Sequence, residues 1–175
     1  MKIYLVRHGQ VNSNLYKVYN NEDEDLNETG IEQAESIKEI TQNIEYDTLI
    51  SSSLKRAKHT AEIINVKNKK ILIDERLKER DPGSLNGQPL ETTNREEYWN
   101  YYSKIQYGTS ETIECLFNRV RNFLDELKTK EYNNVIIVAH SGISKAFYAY
   151  FNGIPKDGKF LNLGLKNTEI KEYEL

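Results

Sequence analysis

Two short runs of apolar residues, Ile3 to Val6 and Val135 to Ala139, each end abruptly at a polar group. Both are rich in β-branched types and too short for helices, so each predicts a strand buried on both faces of a parallel sheet. Thr48 to Ile50, Ile71 to Ile73 and a segment near Thr168 to Tyr173 predict further strands. Between them the apolar period becomes helical. Thr29 and Glu32 have capping-box spacing and open a predicted helix with Ile31, Ala34, Ile37 and Ile40 on its buried stripe. Ser53 is placed to cap a second helix carrying Leu54, Ala57, Ala61 and Ile64. A third starts near Ser110 with Ile113, Leu116, Phe117, Val120, Phe123, Leu124 and Leu127 on one face. The last runs from about Gly142 to Phe151 and is ended by Gly153 and Pro155. Strands alternating with helices predict an α/β sandwich with a mostly parallel central sheet.

One stretch, from about Arg80 to Tyr107, breaks the alternation. It contains Asp81-Pro82-Gly83 and then Tyr98, Trp99, Tyr101, Tyr102 and Tyr107, and reads as a lid-like insertion over one end of the sheet within a single domain. The 175 residues suffice for one domain that buries a sizeable core. With 38% hydrophobic and 29% charged residues the composition is globular, and a net charge of −3 argues against a nucleic-acid or anionic-membrane partner. Any anion site must therefore be built from a few local positive groups. The single cysteine, Cys115, excludes an internal disulfide and a cysteine-rich zinc site, and its amphipathic surroundings predict burial. No signal-like or membrane-spanning segment is present, which makes a cytoplasmic location the default expectation.

The chemistry-bearing residues cluster at predicted strand ends. His8 follows the first strand with Arg7 between them, and His140 follows the strand Val135 to Ala139. In an open α/β sheet ligands bind beyond the carboxyl ends of the strands. Neighbouring strands would bring both imidazoles into one crevice. Arg56 sits on the first turn of the helix after Thr48 to Ile50, at the same end of the sheet, and arginine grips phosphate oxygens in bidentate fashion. His8, His59 and His140 have no partner at metal-ligand spacing, so neither metal nor cofactor is expected.

Arg7-His8-Gly9 after an N-terminal strand resembles the signature of the histidine phosphatase superfamily, which includes the phosphoglycerate mutases. Four further segments are similar to the family's motifs and occur in its order: Leu26 to Ala34, Ser52 to Ala61, Leu77 to Gly87, and Val138 to Gly142. The resemblance covers about residues 3 to 150 and implies a three-layer α/β/α sandwich. It also implies that His8 is the phosphorylated nucleophile and that Glu79 is the general acid and base. Arg7, Arg56, Asn14 and a cationic His140 would hold the phosphoryl group. The chain departs from the family pattern at Gln10, Val11 and Ser13. His59 reads as a supporting or surface residue.

The resulting expectation is a phosphatase that hydrolyses small phosphomonoesters. The alternatives are a phosphoglycerate mutase-type phosphotransferase and a non-catalytic phosphate-binding module. Binding alone would need neither His8 nor Glu79, and the chain is shorter than the family's mutases. The acidic run Glu22 to Asp25 would repel a second anion on the substrate. Neutral or aromatic monophosphates are accordingly expected to outrank sugar bisphosphates and phosphoglycerates.

Overall fold

The computed structural model describes residues 1–175. Its strands are β1 (Lys2–Arg7), β2 (Thr48–Ser51), β3 (Ile71–Ile73), β4 (Asn134–Ala139) and β5 (Ile170–Glu174). Its helices are α1 (Asn12–Tyr16), α2 (Glu28–Ser36), α3 (Lys38–Gln42), α4 (Lys55–Ile64), α5 (Arg95–Tyr98), α6 (Ile113–Leu127) and α7 (Ser141–Asn152). The strands form one sheet in the order β3-β2-β4-β1-β5, parallel except for β5 at the edge.

Alternation along β1 divides the core. Ile3 and Leu5 join Val135 and Ile137 of β4 on the face covered by α6 and α7. Val6 joins Leu49, Ile136 and Val138 on the opposite face, which Ala57, Ala61 and Ile64 of α4 cover. Helices thus cover both faces, giving three layers. Every residue from Val135 to Ala139 is completely buried, as a central parallel strand requires.

Three local expectations need correction. The helix foreseen over Ile31 to Ile40 is two helices that meet at Ile37, and Ile31 and Ile40 are exposed. Its cap is Asn27 rather than Thr29, because the Asn27 side chain accepts the Gly30 N–H at 2.8 Å. At the break, the Ser36 hydroxyl bonds back to the Gln33 carbonyl at 2.7 Å, an arrangement that weakens a helix end. At the start of α4 the capping position is Leu54, and the Ser52 hydroxyl, not Ser53, accepts the Leu54 N–H. Cys115 is exposed rather than buried. The apolar stripe of α6 runs through Ile113, Leu116 and Phe117, which turns position 115 outward.

The stretch from Arg80 to Tyr107 is mostly irregular, with two 3₁₀ turns and the short α5. Tyr98 and Trp99 are buried in the larger core, and Tyr101 stacks on Phe117 of α6 at 5.8 Å. The Trp99 carbonyl accepts the Phe160 N–H at 2.9 Å, which fastens the stretch to the chain after α7. No helix is long and apolar enough to cross a membrane.

Candidate active site

Strand register brings the two histidines together. Arg7 pairs with Ala139 and Ser51 with Val138, so the residues that follow each strand emerge side by side. The His8 N–H donates to the Ala139 carbonyl at 3.0 Å, and the Ser52 N–H to that of Val138 at 3.0 Å. The His8 and His140 rings lie 5.0 Å apart, 2% and 1% exposed. The turn after His8 is packed against the start of α2. A Cβ on Gly9 would lie 2.3 Å from the Gly30 carbonyl oxygen, and one on Gly30 would lie 2.0 Å from that of Gln10. Both positions therefore require glycine. The turn is also held by Thr60 of α4, whose hydroxyl accepts the Gly9 N–H at 3.1 Å.

His8 Nδ1 lies 2.6 Å from the Gly9 carbonyl oxygen. A carbonyl only accepts, so Nδ1 carries the proton and Nε2 keeps its lone pair. Burial first, then the Arg56 and Arg7 charges, push the His8 pKa well below 6.5, leaving a neutral ring at physiological pH. His140 Nε2 is 2.8 Å from the Ser52 hydroxyl, while its Nδ1 is buried without a partner. Burial, Arg56 and His8 hold His140 well below 6.5 as well. The expected cationic His140 is therefore corrected: two guanidinium groups and a second imidazole surround a ring too buried to keep its proton.

Positive charge comes from the arginines. Arg56 is 1% exposed and spends one N–H on the Asn21 carbonyl at 2.8 Å. Arg7 spends one on the Leu165 carbonyl at 2.8 Å. The Nε atoms of both are buried without a partner, and neither side chain forms an ion pair. Burying unpaired charge and unspent donors is costly unless an anion completes them.

Glu79 faces the same cavity. Its carboxylate accepts the Gly142 N–H at 3.0 and 3.1 Å and the Arg80 N–H at 2.9 Å. Behind it Arg119 of α6, paired with Glu111 at 2.7 Å, donates to the Glu79 carbonyl at 3.1 Å and fixes that backbone. Asn14 accepts the Val11 N–H at 3.3 Å and the Asn167 side-chain N–H at 3.2 Å. Asn167 donates also to the His8 carbonyl at 2.9 Å. Arg7, Asn14, Arg56 and Glu79 line a cavity of about 370 Å³, whereas His8 and His140 are buried and are not among its lining residues.

His59 is not in this group; it pairs with Asp25 at 2.8 Å. Ser52, Thr60, Asn167, Arg95 and Lys145 also build or line the site, and sequence reasoning gave none of them a role. The acidic run is not free either. Glu24 accepts the Ser13 N–H at 2.7 Å, Asp25 also pairs with Lys55 at 3.4 Å, and Glu22 pairs with Lys78 at 3.5 Å.

A model of the histidine phosphatase superfamily, branch 1, matches residues 3–175. The chain belongs to that superfamily. Over 176 residues it is 34% identical to the uncharacterized phosphatase PhoE of Bacillus subtilis, covering 97% of this chain and 89% of that protein. It is 30% identical over 193 residues to a metal-independent phosphoserine phosphatase of Arabidopsis thaliana, covering 99% of this chain and 78% of the relative. The fold matches the crystal structure of the alpha-ribazole phosphatase from Shigella flexneri with a TM-score of 0.85 and 23% identity, covering 100% and 91% of the two chains. This histidine phosphatase is a phosphomonoester hydrolase acting on small molecules.

Proposed function

We propose that the enzyme hydrolyses phosphomonoesters through a phosphohistidine on His8. The observation that carries this reading is the lone pair of His8 Nε2, presented beside two buried guanidinium groups with unspent N–H donors. Phosphoryl transfer asks chiefly for an in-line nucleophile and for neutralisation of the charge on the equatorial oxygens. Arg7 and Arg56 supply that charge. His140 adds an N–H donor: the Ser52 hydroxyl, which already accepts the Leu54 N–H, can give its own proton to Nε2 and leave Nδ1 as the unpartnered N–H. Asn14, bridged through Asn167 to the His8 carbonyl, steadies the turn that carries the nucleophile.

In the first step His8 Nε2 forms a bond to phosphorus as the P–O bond to the leaving alcohol breaks, and Glu79 gives that oxygen its proton. In the second, Glu79 takes a proton from water, whose oxygen attacks phospho-His8; inorganic phosphate leaves and the Nε2 lone pair returns. The Arg80 to Tyr107 stretch forms the wall on the leaving-group side, where Arg80, Arg95, Tyr98 and Trp99 face the cavity.

Rapid quench with labelled substrate tests the scheme. An acid-labile, alkali-stable phosphoenzyme is expected in the wild type, and His8→Ala should lose both label and turnover. Normal turnover in His8→Ala would refute the mechanism.

A further inference from the structure

The cavity wall holds one buried charge that phosphoryl transfer does not use. Lys145 lies on α7 one turn beyond Ser141 and is 4% exposed. Its ammonium group donates to the Ser141 hydroxyl at 3.1 Å and stands 4.6 Å from the centre of the Trp99 ring. It forms no ion pair, and an ammonium has three donors, so two remain unspent. A buried lysine without an acid partner either sheds its proton or waits for an anion.

Position says which part of the substrate it would meet. The same first turn of α7 offers the Gly142 N–H to Glu79, and Lys145, one turn on, lines the same cavity as the carboxylate proposed to serve the leaving oxygen and feels its charge. Arg95 lines the same cavity; it donates to the Tyr19 hydroxyl at 3.0 Å and also lacks an acid partner. Charge says how much anion fits. Arg7, Arg56, Lys78, Arg80, Arg95 and Lys145 line the cavity against Glu22, Glu79 and Asp81, an excess of three positive charges. A phosphoryl dianion neutralises two of them. One remains while Glu79 is ionised and two when it is protonated to act as an acid. Positive charge is thus left over for a further anionic group on the leaving alcohol, and the lone ammonium of Lys145 suits a carboxylate.

We infer that Lys145 is a specificity residue that receives a carboxylate on the leaving alcohol, with Arg95 flanking it, so that the preferred substrates are phosphomonoesters of hydroxy acids. This rests on the phosphatase reading of the same cavity. It reverses the expectation that the acidic run repels a second anion. That expectation assumed free carboxylates, whereas Glu22, Glu24 and Asp25 are engaged with Lys78, Ser13, His59 and Lys55.

The test compares 3-phosphoglycerate with glycerol 3-phosphate, which share a carbon skeleton and differ in a carboxylate against a hydroxymethyl group. The wild type should favour the carboxylate by about tenfold or more in kcat/KM, the range of a charge-assisted hydrogen bond. Lys145→Met should erase that preference through KM, its loss on 3-phosphoglycerate exceeding any loss on glycerol 3-phosphate by about tenfold or more. The wild-type preference should also fall as pH rises through about 8, to which burial lowers Lys145. Glu79 facing it sustains its charge, and Arg7 and Arg95 oppose it. Since kcat/KM reports the free enzyme, this profile needs no variant and stands even if Lys145→Met does not fold. Fructose 1,6-bisphosphate should gain nothing over fructose 6-phosphate that depends on Lys145. No wild-type preference, an equal loss on both glycerol substrates in Lys145→Met, or a bisphosphate preferred to 3-phosphoglycerate would each overturn the inference while leaving the phosphatase reading intact. Failure to hydrolyse any phosphomonoester would overturn both.

Discussion

A methyl group added at Gly142 would strike the carboxylate proposed as the general acid. A Cβ built there would lie 2.1 Å from Glu79 Oε1 and 2.9 Å from the edge of the Trp99 indole. Ordinary carbon–oxygen contact begins more than 3 Å away, so in Gly142→Ala the carboxylate must withdraw by about 1 Å, and it loses the geometry of its Gly142 N–H bonds. Misplacement of that size in a catalytic group costs about 10²-fold, equivalent to about 2.7 kcal/mol of transition-state stabilisation. The loss should be selective, because protonation by an acid matters for a poor leaving group and hardly for p-nitrophenolate. Pre-steady-state phosphorylation of the variant should therefore fall about 10²-fold with an alkyl phosphate such as glycerol 3-phosphate, and much less with p-nitrophenyl phosphate. Glu79→Gln should show the same selectivity with Gly142 intact. Thermal unfolding gives the control, since alanine favours the helix by up to about 1 kcal/mol and opposes the crowding. Equal losses on the two substrates in both variants would refute the role given to Glu79. An unchanged alkyl phosphate rate in Gly142→Ala would refute the reasoning from the contact distance.

Two further outcomes follow from the charge arrangement. On the proposed mechanism Arg7 and Arg56 neutralise the phosphoryl oxygens, and no group of three His, Cys, Asp or Glu is placed to hold a metal ion, so activity should survive EDTA; loss on chelation that a divalent ion restores would contradict this. His8 and His140 have folded pKa values well below 6.5, so below pH 6.5 the unfolded chain binds protons that the folded site refuses. Their contribution is fully present above pH 6.5 and lost as pH falls toward the folded values, so the melting temperature should drop between pH 7.5 and 5 and drop less in His140→Asn, and equal drops would argue against the neutral His140.

The parts of the site that follow strand ends were legible in the sequence. His8 and His140 are marked by where the apolar runs stop, and the parallel register of β1 and β4 makes those stops coincide. Arg56 was legible for the same reason, one turn into the helix after β2. Glu79 was not legible from pattern, because a carboxylate in the charged run Asp74 to Asp81 looks solvated. Its distinction is a tertiary bond to the Gly142 N–H, sixty-three residues away, and only the family resemblance pointed to it. Lys145 left a faint local signal, a lone cation four residues after Ser141 in the apolar run of α7. Asn167 left none, lying in a polar turn before the edge strand. The misplaced details, the break at Ile37 and the exposed Cys115, concern helix faces and ends, where a shift of one position reverses burial.

The charge state of the paired histidines links fold to chemistry. A site meant to bind phosphate could place its cations at the surface, where water would solvate them at little cost. Here Arg56, His8 and His140 are nearly fully enclosed at the end of a sheet whose central strand is buried on both faces. Enclosure strips the imidazoles of their protons, which a nucleophile requires, but cannot strip the guanidinium groups, whose proton affinity is too high. Burial thus sorts one set of basic side chains into neutral imidazoles and fixed cations, which is the arrangement the proposed His8 nucleophile needs. Lysine falls between these extremes: Lys145, lowered to about 8, keeps its charge at neutral pH and loses it on a modest rise.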